Sequence, residues 1–149
     1  MTHNDQTRNP RDHRYSGLMV LADGFRPFFL LAGIWAPIAL ALSIEMIQGR
    51  IELPTAFDTV SWHFHEMLFG YVVAAIAEFL LTAVPNWTGQ LPLRGLPLFG
   101  LVLLWLAGRA AVVISGVIGV WPSALIDLSF LFVLAAVMLR EIVAGRQLA

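Results

Sequence analysis

Four apolar runs follow one another along the chain, at Phe28 to Gln48, Phe64 to Val84, Pro97 to Val117 and Ala124 to Val143. Each holds about 20 residues, which at a helical rise of about 1.5 Å matches a bilayer hydrocarbon core of about 30 Å. The pattern predicts an all-α, polytopic transmembrane helix bundle with four membrane-spanning helices. The connections, Gly49 to His63, Pro85 to Leu96 and Ile118 to Ser123, are short and carry glycine and proline, so they read as helix stops and not as a second domain. Pro85, followed by Asn86 and Trp87, is expected to end the second helix. Met1 to Asp23 is polar and reads as a disordered or surface-lying tail, which divides the chain into residues 1–23 and a transmembrane region, 24–149. Trp62, Trp87 and Trp121 fall at segment edges, where indole favours the headgroup layer, whereas Trp35 and Trp105 lie inside and read as packing residues. Gly33 and Pro37 are placed to bend the first helix.

Composition confirms lipid as the solvent. Hydrophobic residues make up 58% of the 149 and charged residues 13%, with a mean hydropathy of +0.77. The net charge of −1 conceals an asymmetry, because lysine is absent and the nine basic residues are all arginine. With both termini inside, Arg8, Arg11, Arg14, Arg26, Arg94, Arg140 and Arg146 lie on the inner side and only Arg50 outside. That distribution predicts cytoplasmic termini in a bacterial inner membrane. No water-facing basic patch exists to serve a nucleic acid. The absence of cysteine excludes disulfides, thiolate metal sites and covalent haem attachment through cysteine. The N-terminus lacks a short apolar run with a small-residue cleavage site, so the first span is expected to direct insertion itself.

Chemistry-bearing residues are few and therefore conspicuous. Trp62-His63-Phe64-His65-Glu66 sets two of the four histidines at the threshold of the second span. His63 and His65 suit copper as a pair if the lead-in is extended, and one neutral imidazole suffices as an axial ligand to haem iron. On a helix the two rings point about 200° apart, and Glu66 falls close to His63, as a partner that would orient its imidazole. The plainer reading is a helix N-terminus with interfacial polar residues. Arg109 lies deep in the third run, where insertion costs about 2.5–3.5 kcal/mol, so it needs a partner. Asp127 and Glu78 are within its reach in a structural ion pair; alternatively its fork holds an anionic group such as a haem propionate. Glu78 takes a structural role by default. No nucleotide-binding glycine loop, zincin helix or serine triad is present.

The stretches Gly24 to Leu31 (GFRPFFLL), Trp62 to Gly70 (WHFHEMLFG), Phe79 to Gly89 (FLLTAVPNWTG) and Trp105 to Arg109 (WLAGR) together resemble the NnrS family of haem–copper membrane proteins. The resemblance implies a multi-pass inner-membrane protein that binds haem and copper and serves the response to nitric oxide and nitrosative stress, with no defined reaction. It implies His63 and His65 as metal and haem ligands, with Arg26, Glu66, Asn86 and Arg109 at other family positions. Family members have about twelve helices, so this chain corresponds to their N-terminal third. It is then a fragment, or it assembles with further transmembrane helices or subunits. Glu78 stands where the family usually carries a small residue. Two rival expectations are a metal-free membrane interaction or transport subunit, and a truncated chain without activity of its own.

Overall fold

A computed structural model describes residues 25–89 and 91–146; the polar tail lies outside the described residues. Four helices are long and apolar enough to cross a membrane: α1 (Phe25–Ile47), α2 (Thr59–Thr88), α3 (Leu96–Val113) and α4 (Val120–Arg146). No strand is present among the described residues. The predicted bundle of four spans is the fold.

Its boundaries differ instructively from those the hydropathy suggests. α2 begins five residues early, at Thr59, because Asp58 caps it: the carboxylate accepts from the backbone N–H groups of Val60 and Ser61, each at 3.1 Å. Hydrogen bonding to Ser61, through its side chain and then its backbone, holds the Asp58 carboxyl below its ordinary value of 3.8. The cap therefore contributes above that ordinary value and fades as pH falls through the lowered one. Pro85 does not end α2. The helix runs through it to Thr88 and stops at Gly89, whose φ of 70° gives the left-handed turn that closes a helix C-terminus. α3, expected to reach Val117, stops at Val113. A separate turn, Ser115–Ile118, follows, in which the Ser115 hydroxyl donates to the Val112 carbonyl (2.8 Å) and accepts from Ala56 N–H (2.9 Å). That hydroxyl ties the loop before α2 to the end of α3.

Within α2, residues Glu66–Val72 form a π-helical segment. Such segments are rare and concentrate at functional sites, since they rotate the downstream face of a helix relative to the upstream one.

α1 packs along α2, α3 along α4, and α2 also lies against α4. Apolar burial is divided in two. One cluster joins Phe28, Leu81, Leu98 and Phe130 with their neighbours; a smaller one gathers Ala39, Trp62 and Val112. On α2 and α3 the polar residues described below lie between the two clusters. Outward faces are mainly apolar, as lipid requires, and Trp87 and Trp121 are exposed as an interfacial belt demands.

Trp62 corrects its expected place in that belt. It is completely buried, and its indole Nε1 has no hydrogen-bond partner. An unsatisfied buried donor costs about 1–3 kcal/mol. Trp62→Phe removes that donor at the expense of a small void, so stability to denaturing detergent should change by no more than about 1 kcal/mol. Trp105→Phe is the control. Its indole is engaged, at 3.2 Å from the Gly70 carbonyl, and its loss should be the more damaging.

Candidate functional site

The layer between the two apolar clusters is a closed ring of four ionisable side chains from three helices. Arg109 on α3 donates through Nη1 to Glu66 Oε2 (2.9 Å) and through Nη2 to Asp127 Oδ1. His65, next to Glu66 on α2, sets Nδ1 3.4 Å from Glu66 Oε1 and Nε2 3.2 Å from Asp127 Oδ2. Each carboxylate is thereby bridged between the guanidinium and the imidazole. Were both ring nitrogens to donate, the imidazole would be a cation, and two positive and two negative charges would cancel. Glu66, Arg109 and Asp127 are all buried. Separately each would be ruinous at this depth; together, with His65 protonated, they would leave no net charge to desolvate.

Three further features hold the ring in place. Trp35 on α1 donates its indole N–H to Glu66 Oε2 at 2.9 Å, so all four helices meet at this layer. Trp105 places its ring 5.8 Å from the Arg109 guanidinium carbon, within cation–π range. Gly108 brings α4 close: a Cβ there would meet Asp127 Oδ1 at 2.8 Å and its Cα at 3.2 Å. A larger residue would hold Asp127 away from Arg109.

The helical geometry separates the two histidines of the H-x-H pair. Both lie on α2, so the extended lead-in does not occur. His65 turns toward α4, whereas His63 turns toward α1, its Nδ1 2.9 Å from the Ser43 hydroxyl. That hydroxyl is 2.6 Å from the Ala39 carbonyl, to which its single proton goes. Ser43 must therefore accept from His63 Nδ1–H, which leaves the imidazole lone pair on Nε2. Glu66 contacts His65 and not His63, contrary to the expected pairing. Of the acids within reach of Arg109, Asp127 and Glu66 are its partners. Glu78 is half-buried on α2, away from the ring, and Arg109 has both terminal nitrogens committed without a propionate.

Among the described residues, no group of three or more His, Cys, Asp or Glu side chains is placed to hold a metal ion. Trp35, Ser43 and Gly70 belong to the site although their residue types gave no sign of it. Charge supplied the signal for Arg109, Glu66 and Asp127; nothing comparable marks a serine or a glycine.

An apolar four-span bundle crossed by a ring of paired ionisable groups defines a multi-pass membrane protein with a built polar centre. The chain belongs to the NnrS family: the family model described as NnrS protein matches residues 19–149. No curated protein and no solved structure matches it.

Proposed function

We propose that the chain is a haem-carrying inner-membrane protein of the response to nitric oxide, with His63 as an axial ligand and the His65–Glu66–Arg109–Asp127 ring as the scaffold that positions α2. Family membership supports the physiological context. The observation that carries the ligand assignment is the Ser43 contact, which fixes the His63 tautomer with Nε2 free to coordinate. An imidazole whose other nitrogen is anchored in this way is the usual donor to haem iron. When bound, haem supplies a centre that takes a diatomic ligand such as nitric oxide or passes an electron. His65 and Arg109 act at one remove, keeping Glu66 and Asp127 neutralised so that the histidine-bearing end of α2 stays in register. Copper, which the family implies, does not fit the described residues alone. It would need donors from outside this four-helix unit, such as further transmembrane helices. The arginine distribution, seven inside against one outside, supports cytoplasmic termini.

Detergent-solubilised protein from haem-replete cells should show a Soret band. His63→Ala should abolish it with helical circular dichroism intact, and Ser43→Ala should weaken haem affinity about 10–100-fold. A colourless wild type, or a band indifferent to His63→Ala, rejects the proposal. The ion ring, whose charged groups pair with one another, favours a second reading: a metal-free subunit whose charges only lock its helices. The same spectrum separates the two.

A further inference from the structure

Beside the ring, where α2, the end of α3 and the start of α4 diverge, the helices leave a half-open pocket of about 150 Å³. Phe57, Phe69, Val112 and Leu128 form its mainly apolar wall. Its polar groups differ sharply in what they have left to offer. Asp127 reaches the cavity with both oxygens taken, one by Arg109 and one by His65. His65 has both nitrogens engaged and its faces covered, with Phe69 stacked at 4.7 Å and Phe57 at 5.1 Å. Ser115 spends its hydroxyl on Val112 and Ala56. Ser123 alone is uncommitted: the residue is 3% exposed, lines the cavity, and its hydroxyl has no partner among the described residues.

We propose that this cavity binds a small, uncharged, largely apolar molecule, held by contact with the phenyl rings and oriented by one hydrogen bond to Ser123. An ion finds no counterpart here, because both Asp127 oxygens are already engaged and the wall is mainly apolar. Deep in the pocket water finds one free polar partner, against the two to four that hold a buried water in place. The volume is enough for a molecule of the size of benzene. Binding here depends on no metal, so the inference stands apart from the haem assignment.

The cysteine-free chain permits a direct test. Ala124→Cys places a single thiol in the cavity wall with Ser123 retained, and Val112→Cys, at a position 1% exposed, is a second reporter should the first fold poorly. Trp121→Cys, at a position 81% exposed, reports the same membrane end outside the cavity. Labelling of the purified protein is followed by mass spectrometry, which reads the cavity whether or not haem is present. Relative to Trp121→Cys, neutral methyl methanethiosulfonate should outpace its trimethylammonium and sulfonate analogues at Ala124→Cys by at least about tenfold, since a charge must be desolvated to enter. Cyclopentanone should protect the thiol better than cyclopentane by about fivefold, one hydrogen bond's worth, and Ser123→Ala should erase that preference. Equal labelling by charged reagents would reveal a water-filled funnel and overturn the proposal. So would the absence of any labelling, or protection indifferent to Ser123.

Discussion

Arg109→Met should leave almost no folded protein in the membrane, with a loss of about 3–5 kcal/mol, the range for a buried charge network deprived of one partner. Methionine fills much of the volume of the arginine stem, so packing is not the main loss. The damage comes from Glu66 and Asp127, which lie almost fully buried and would keep only His65 between them. Two carboxylates facing one cation carry a net negative charge into the low-dielectric layer between the apolar clusters. Arg109→Lys should fail nearly as badly, because one ammonium cannot reproduce the two-pronged bridge from Nη1 to Glu66 and from Nη2 to Asp127. Neutralising the survivors is the diagnostic step. In the Arg109→Met background, Glu66→Gln together with Asp127→Asn should restore a large part of the stability, as expected when the injury is electrostatic. Retained helicity across a titration with denaturing detergent measures all of these variants. Arg109→Met within about 1 kcal/mol of wild type would mean that the ring is not what joins α2, α3 and α4.

Much of this was written legibly in the chain. The four spans follow from runs of apolar residues long enough for lipid, and nothing in the fold competes with that signal. Arg109, Glu66, Asp127 and the histidines stand out because polarity inside such runs is costly and therefore informative. What the sequence hides is direction. Trp62 sits at a segment edge and looks interfacial, yet α2 starts at Thr59, a full turn earlier than hydropathy indicates, and carries the indole inside. The cue existed in Asp58, whose position before Thr-Val-Ser suits a helix cap. Pro85 misleads in the opposite sense, since in lipid a proline can be accommodated within a continuing helix. Closure of the ring was beyond reach. It depends on how closely α4 approaches Gly108, a tertiary fact. Ser43 and Gly70 carry no local mark at all, because one anchors an imidazole 20 residues away and the other acts through what it lacks.

That lack makes Gly70→Ala the second large expected effect. Gly70 is the floor on which the Trp35 indole rests. A Cβ there would overlap Trp35 Nε1, approach its Cδ1 to 2.7 Å and come within 3.1 Å of Arg109 Nη1. Neither neighbour has room to yield. Trp35 is held edge-on to Trp105 at 5.8 Å and donates to Glu66, while Arg109 is fixed by two carboxylates. Overpacking of this kind costs about 1–3 kcal/mol, and displacing Trp35 adds the loss of a hydrogen bond to a charged group, about 1.5–3 kcal/mol. Gly33→Ala and Gly100→Ala supply the contrast, since a Cβ at either position meets nothing within 4 Å and alanine is the better helix former. These two should be neutral or slightly stabilising. The decisive comparison is a double-mutant cycle with Trp35→Phe, which shortens the clashing side chain and removes Nε1 in one change. If the injury at Gly70 is transmitted through Trp35 to Glu66, the two substitutions will be strongly non-additive, and Gly70→Ala will cost far less in the Trp35→Phe protein. Simple additivity would assign the glycine to the local geometry of the π-helical segment, and Trp35 would lose its place as the α1 contribution to the ring.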